Sequence, residues 1–102
     1  MLFAMINLDE TSNQFTYTAG TVTAFLQFRL RADRLIIIHT VVPPEAEGQG
    51  VGGKLVVAAL EYAVRRHLIV VPICPFARNW LRSHSDVAEA AKIEWPDADQ
   101  VE

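Results

Sequence analysis

The feature that most constrains this chain is a glycine-rich segment between a pair of prolines and a run with helical periodicity. The segment reads Glu47-Gly48-Gln49-Gly50-Val51-Gly52-Gly53-Lys54. Glycine has no Cβ, so its backbone can approach a ligand closely. A helix that begins there points unpaired N–H groups and the positive end of its dipole at the loop. The segment therefore predicts a site that binds a phosphate group.

The glycine spacing also matches a dinucleotide-binding loop, but the surrounding sequence does not. Gly48-x-Gly50-x-x-Gly53 has the required pattern. That fold expects the loop to open a parallel βαβ unit and expects an acid about 20 residues further on, at the end of the next strand. The next predicted strand, Ile69 to Ile73, contains no acid, and antiparallel hairpins precede the loop. We interpret this match as accidental.

A nucleotide-binding P-loop is excluded on different grounds. The spacing Gly48-x-x-x-x-Gly53-Lys54 comes close to that motif. The residue after the lysine must be Ser or Thr to hold magnesium, and here it is Leu55. In addition, no predicted strand ends in the aspartate that would complete the metal site.

Antiparallel strands are predicted ahead of the loop. Residues 3–8 can form an edge strand, and alternation of apolar and polar residues predicts a strand at 14–18. Residues typical of strands predict two more, at Val22–Arg29 and Arg34–Val42. The connections between these strands, such as Arg31-Ala32-Asp33, are short. Strands joined by short turns must run antiparallel, because a parallel return needs a crossover.

Two helices and a buried strand are predicted after the loop. The first helix spans Gly52 to His67, and its buried stripe is predicted to consist of Val56, Leu60, Ala63 and His67. The apolar run Leu68 to Cys74 predicts a buried strand that can pair in parallel, because a helix connects it to the preceding strand. Pro75 suits the first position of a second helix, about Phe76 to His84.

A last short helix is predicted from Ser85, as its cap, through Lys92. The acidic tail beyond Pro96 is predicted to be loose. The length of 102 residues, with 51% hydrophobic and 21% charged residues, fits one small core, so residues 1–102 are predicted to form a single domain. The expected fold class is α+β, with a mixed sheet.

Composition also limits the partners and the compartment. The net charge is −3 and the only adjacent basic pair is Arg65-Arg66, which argues against nucleic acid. The single cysteine, Cys74, excludes an internal disulfide and favours the cytosol. The longest apolar run, Leu68 to Cys74, is far shorter than a membrane span. The N-terminus also lacks the positive charge that precedes the apolar part of a secretory leader.

The sequence around the glycine segment resembles the GNAT acetyltransferases. That family carries Arg/Gln-x-x-Gly-x-Gly/Ala between a strand and a long helix, a register that falls here on Glu47 to Gly52. The resemblance is closest to a subfamily of very small GNAT-like proteins. Their signatures are similar to His39-Thr40-x-Val42-Pro43 before the loop and Cys74-Pro75-Phe76 after the next strand. The similarity covers most of the chain, about Phe15 to His84.

The resemblance implies a minimal GNAT fold, with antiparallel strands followed by loop, helix, strand and helix. It implies an acetyl-CoA-dependent N-acetyltransferase that acts on an amine and needs no metal. The alternative is a non-catalytic module that binds or senses acyl-CoA. The acceptor could be a small amine or an exposed amine of a protein, because the chain has almost no room for the extra helices with which larger GNAT enzymes build an acceptor site.

The same resemblance implies where coenzyme A binds. Backbone amides from Gly48 to Gly53 would hold the pyrophosphate. The pantetheine arm would lie where the Ile36–Val42 strand splays from the next strand, and it would pair with main-chain groups there. The implied binding residues are Val41, Val42, Glu47, Gly48, Gln49, Gly50, Val51, Gly52, Gly53, Lys54 and Asn79.

Two of the implied contacts depend on side chains. Glu47 stands where the family usually has Arg or Gln, and we expect its carboxylate to turn toward solvent because the essential contacts are backbone N–H groups. On the second helix, Phe76 and Trp80 share a face and are predicted to pack in the core. Asn79 is then the better polar contact for the coenzyme.

Two residues are candidates for the chemistry of acetyl transfer. The strand before the loop contains no carboxylate, so His39 is its only candidate base, although a structural histidine is the simpler interpretation because no partner is visible. Cys74 precedes a helix N-terminus, where the dipole favours the thiolate. The resemblance implies a nucleophile near the acetyl group at this position, whereas most free cysteines are small buried hydrophobic residues. The sequence leaves both alternatives for Cys74 open.

Overall fold

The computed structural model of the chain describes residues 5–96, which form one six-stranded mixed sheet with helices. The strands are β1 (Met5–Asp9), β2 (Gln14–Ala19), β3 (Val22–Arg31), β4 (Arg34–Val41), β5 (Ile69–Pro72) and β6 (Lys92–Ile93). The helices are α1 (Val51–Arg65), α2 (Pro75–Ser83) and α3 (Ser85–Ala88), with a 3₁₀-helix at Pro44–Ala46. The start of the predicted edge strand and the predicted loose tail lie outside the described residues.

The strands lie in the sheet in the order in which they occur in the chain. β1 to β4 pair antiparallel, as their short connections predict. β4 pairs with β5 in parallel because α1 carries the chain back across the sheet. β5 pairs with β6 in parallel for the same reason, through α2 and α3. Both crossovers move in the same direction along the sheet, so their right-handed connections place α1 and α2 on one face, which we call the helix face.

The core lies between the helix face of the sheet and α1. Three aromatic rings at its centre, those of Phe15, Phe28 and Tyr62, have centroids 5.3–5.9 Å apart. Buried aliphatic side chains from both layers surround these rings, among them Leu26, Leu35, Ile37, Leu55, Val56, Leu60 and Val70. Burial of an aliphatic side chain of this size contributes about 1.5–3 kcal/mol, so this interface supplies the main stabilisation of the fold.

The opposite face of the sheet, which we call the open face, is not covered by any helix of the described residues. Phe25 and Ile36 are half-buried on it, and Val41 and Ile73 are exposed. At one end an ion pair spans the face: the Arg34 guanidinium lies 2.8 Å from the Glu94 carboxylate. This contact raises the pKa of Arg34, through the hydrogen bond to Glu94 and its charge.

A β-bulge in β4 reverses the direction of side chains near the end of that strand. Ile37 is opposite Phe28, but His39 is opposite Gln27, so β4 contains one residue more than β3 at this point. Thr40 is then opposite the buried Leu26 and lies on the helix face with Ile37. An uninterrupted strand would place His39 on that face. The bulge instead moves His39 to the open face, where it is exposed.

The predicted buried stripe of the first helix is wrong at its last residue. α1 ends at Arg65, and His67 is exposed with a φ of 59°. The N–H of Leu68 donates to the carbonyl of Ala63, and the N–H of His67 donates to that of Val64. These two bonds form a Schellman motif, in which His67 takes the left-handed position that glycine usually occupies.

The predicted helix from Ser85 to Lys92 is also wrong in its second half. α3 ends at Ala88, and Lys92–Ile93 forms the short strand β6 beside β5. The N-cap position of α3 is occupied by His84 and not by Ser85, and no side-chain capping hydrogen bond forms there. A strand of two residues is too short to show alternation in a sequence, which is why the pattern did not indicate it. In the described part of the chain, no helix is long and apolar enough to cross a membrane.

Candidate functional site

The candidate site begins where the pairing of β4 and β5 stops. The last paired residues are Ile37 and Pro72, although β4 continues to Val41. The carbonyl of Ile37 accepts two N–H groups, from Ile73 at 3.1 Å and from Cys74 at 3.0 Å. The chain then turns away into α2, so no strand of residues 5–96 pairs with the end of β4 on this side. The result is a gap in the sheet, as the resemblance implied.

A groove of about 520 Å³ connects this gap with the glycine loop on the helix face. Its lining consists of the end of β4, the loop, the first turn of α1 and two aromatic residues of α2. These residues are Thr40, Val42, Ala46, Glu47, Gly48, Gly50, Val51, Gly52, Gly53, Phe76 and Trp80. The volume is in the range of small-molecule sites, roughly 300–1,000 Å³.

The N–H groups of the loop face no acceptor of the protein. Within residues 5–96, none of the N–H groups from Gly48 to Gly53 donates a hydrogen bond to the chain, whereas the N–H of Lys54 donates to the carbonyl of Gly50 at 3.1 Å. The start of α1 thus adds its positive dipole end to a row of free donors. Such a site suits an anionic group with several oxygens, such as a pyrophosphate.

The four glycines of the loop fall into two pairs with different roles. Gly48 and Gly50 have φ angles of 83° and 75°, and a Cβ on either would meet open space. They are needed for the left-handed backbone of the loop. Gly52 and Gly53 lie in α1, and a Cβ there would come within 2.5 Å of Phe76 Cζ and Trp80 Nε1, respectively. This second pair lets α2 pack closely on α1.

Two aromatic rings form the wall of the groove opposite the loop. Trp80 packs against the core and stacks on His84, with ring centroids 3.9 Å apart and planes 11° apart. Nδ1 of His84 lies 2.7 Å from the carbonyl oxygen of Trp80, which holds the stack in place. Phe76 is 43% exposed, so the prediction that it packs in the core is wrong. The Phe76 ring lies over Gly52. Because glycine has no side chain, the ring is left partly exposed there.

Thr40 and Cys74 meet at the end of the groove that lies in the gap. The Cys74 thiol donates a hydrogen bond to Thr40 Oγ1, with a sulfur–oxygen distance of 3.5 Å. Cys74 precedes α2 as its N-cap residue and is only 5% exposed. Thr40 lines the groove, whereas Cys74 does not. Thr40 therefore lies between the groove and the sulfur.

The groove is lined by seven of the eleven binding residues that the resemblance implied. Those that line the groove are Val42, Glu47, Gly48, Gly50, Val51, Gly52 and Gly53. The side chains of Gln49 and Lys54 point elsewhere: Gln49 Nε2 lies 3.5 Å from the carbonyl of Glu45, and Lys54 Nζ lies 5.7 Å from the Tyr17 ring centroid. Asn79 is exposed and does not line the groove.

The residues of β4 that were predicted for the site lie on the open face of the sheet. His39 and Val41 are exposed on the open face, on the other side of the gap from the groove. Thr40 was not predicted, although it belongs to the His39-Thr40 signature. Strand alternation assigns it the wrong face, and no pattern in the sequence indicates the bulge that turns it inward. Trp80 was predicted only as a core residue.

The described residues contain no group of three or more His, Cys, Asp or Glu side chains that could hold a metal ion. The polar groups of the groove are the backbone N–H groups of the loop, the Thr40 hydroxyl with the Cys74 thiol behind it, the Trp80 indole N–H and the Glu47 carboxylate.

Comparison with known proteins agrees with this architecture. The family described as GCN5-related N-acetyl-transferase matches residues 14–90. The NMR solution structure of a GCN5-like protein from Staphylococcus aureus, described as a candidate N-acetyltransferase, is 26% identical with a TM-score of 0.72. The alignment covers 96% of this chain and 95% of that one. A search of curated protein sequences found no significant match.

The mixed sheet, with its gap between two parallel strands and its glycine loop at a helix N-terminus, defines the GNAT class of folds. The family match covers three quarters of the chain, so the chain belongs to the GCN5-related N-acetyltransferase family.

The two helical glycines provide a test of how α1 and α2 pack. We expect Gly53→Ala to destabilise the protein by about 1–3 kcal/mol, because the new methyl group meets the Trp80 ring, which His84 and the core hold in place. Gly52→Ala is the matched control. Its methyl group meets the tip of the exposed Phe76 ring, which can swing away, so we expect little change. If both variants lose the same free energy of unfolding in chemical denaturation, the Trp80 ring is not held in place.

Proposed function

We propose that this chain binds acetyl-CoA in the groove and transfers its acetyl group to an amine. The observation that carries the proposal is that free N–H donors and an unpaired strand end lie in one groove. The first feature suits a pyrophosphate and the second suits an extended chain that contains amides. Pantetheine linked to a pyrophosphate combines both, and family membership supports the same ligand.

These two features of the groove give a position for each part of the ligand. The pyrophosphate would accept hydrogen bonds from the N–H groups of Gly48 to Gly53. The pantetheine amides would pair with main-chain groups of β4 beyond Ile37, where β5 no longer pairs. Addition of an extended segment to an open strand edge is a common mode of recognition. The thioester would then reach the gap beside Thr40.

The reaction itself is a simple acyl transfer. The amine nitrogen forms a bond to the thioester carbonyl carbon, and negative charge develops on the carbonyl oxygen. The carbon–sulfur bond then breaks, the nitrogen loses a proton, and the coenzyme sulfur leaves as a thiolate that takes up a proton. His39 can accept the proton only from an amine that approaches from the open face, so its role as a base stays a prediction.

A non-catalytic acyl-CoA-binding module remains the second candidate. The observation that favours it is the chemistry of the groove: apart from Glu47 at the loop, none of the side chains that line it is a carboxylate or an imidazole. An acceptor screen with bound acetyl-CoA distinguishes the two, because only an enzyme releases free coenzyme A faster with an amine than without one.

The role of the free N–H groups of the glycine loop can be tested by placing a negative charge among them. We expect Gly50→Glu to lower the affinity for acetyl-CoA at least tenfold, or about 1.4 kcal/mol, in titration calorimetry. The new carboxylate would lie where the pyrophosphate binds. Gly20→Glu is the matched control, because Gly20 also has a positive φ of 62° and an open surrounding but lies in the β2–β3 turn. Equal affinity in both variants would remove the loop from the site.

The charge of Glu47 provides the opposite test. Glu47 lines the groove, so Glu47→Arg should strengthen acetyl-CoA binding, roughly fivefold, because it replaces a repulsive charge beside a polyanion with an attractive one. The gain should shrink at high salt, as exposed charge effects do. Glu45→Arg is the control, since Glu45 is exposed nearby but does not line the groove. Weaker binding of Glu47→Arg would mean that the carboxylate has a structural role.

A further inference from the structure

The bulge in β4 has a chemical consequence. It turns Thr40 rather than His39 to the helix face, and Thr40 belongs to the lining of the groove. Among the described residues that line the groove, Thr40 is the one with a side-chain hydroxyl, and the Cys74 thiol lies behind it. Thr40 is therefore the side chain with a hydroxyl proton nearest to where a bound thioester would lie.

The contact between the two residues leaves the Thr40 hydroxyl able to serve a ligand. The Cys74 sulfur lies 3.5 Å from Thr40 Oγ1, and both a thiol and a hydroxyl can donate or accept a hydrogen bond. When the thiol donates, the hydroxyl keeps its own proton to donate. Thr40 belongs to the lining of the groove, so a carbonyl oxygen of a ligand bound there is an acceptor that the hydroxyl can serve.

The burial of Cys74 limits what the thiol can do. The residue is 5% exposed and does not line the groove, and its own N–H is bound to the carbonyl of Ile37. A sulfur in this position would have to displace the Thr40 side chain to attack a ligand. The thiol is well placed, however, to fix the rotamer of Thr40, because the hydrogen bond from the Cys74 N–H to the Ile37 carbonyl holds Cys74 beside the end of β4.

We propose that Thr40 is a catalytic residue that donates its hydroxyl proton in a hydrogen bond to the thioester carbonyl oxygen, and that Cys74 is the positioning residue that orients this hydroxyl. The inference rests on the proposed function. The hydrogen bond strengthens as negative charge develops on that oxygen during attack by the amine. The hydroxyl keeps its proton throughout, and no bond to sulfur of the protein is formed.

The test needs no knowledge of the acceptor. Infrared difference spectroscopy of acetyl-CoA labelled with carbon-13 at the carbonyl reports hydrogen bonding to that oxygen directly. Thr40→Val keeps the shape but removes the hydroxyl, and we expect the bound carbonyl stretch to move to higher frequency, with acetyl-CoA affinity changed less than about threefold in calorimetry. Thr40→Ser is the control that keeps the hydroxyl, and its frequency should match that of the unsubstituted protein.

The positioning role of Cys74 is tested in the same experiment. Cys74→Ser can still donate to Thr40 and should keep the frequency of the unsubstituted protein, whereas Cys74→Ala should move it toward that of Thr40→Val. Incubation with acetyl-CoA alone, followed by intact mass measurement, should show no acetyl group on the protein. An acetylated Cys74 would contradict its assignment as a positioning residue.

The possible failures are distinguishable. If the unsubstituted protein does not bind acetyl-CoA in calorimetry, the proposed function fails and this inference fails with it. If it binds acetyl-CoA but Thr40→Val leaves the carbonyl frequency unchanged, only the inference about Thr40 is overturned.

Discussion

The carbonyl of Ile37 is the point on which the rest of the site depends. It accepts the N–H groups of both Ile73 and Cys74, and this double contact ends the pairing of β4 with β5. Three consequences follow from it. On that side no described strand pairs with the remaining part of β4, Cys74 is held at the start of α2, and α2 is directed back over α1. The gap, the thiol and the aromatic wall are therefore consequences of one local change in hydrogen bonding.

The glycines of the loop meet two different physical requirements, although they belong to one sequence motif. Gly48 and Gly50 supply backbone conformations that other residues rarely adopt, and so shape the cradle of N–H groups. Gly52 and Gly53 supply space, because the rings of α2 rest directly on the helix. The proposed phosphate site and the packing of α2 thus meet within six residues, so a substitution in this segment can alter the groove and the stability together.

The sequence contains enough to predict the main layers of the fold but not the details that orient the side chains. Long apolar runs, short turns and the glycine loop predict antiparallel strands, a crossover helix and a parallel strand, because each of these patterns extends over many residues. The faces of His39 and Thr40 depend on one extra residue in β4, which alternation cannot show. The exposure of Phe76 depends on its facing a glycine of another helix, a contact that no local pattern records.

The proposed function depends most on one contact, that between the free N–H groups of Gly48 to Gly53 and the pyrophosphate of acetyl-CoA. Amide chemical shifts in a nitrogen-15 NMR titration with acetyl-CoA test it most directly, because each backbone N–H is observed separately. We expect the largest shifts at the amides of Gly48 to Gly53, with smaller ones at Thr40 and Val42 and little change at Gly20. Saturable shifts confined to another surface, or none at all, would contradict it.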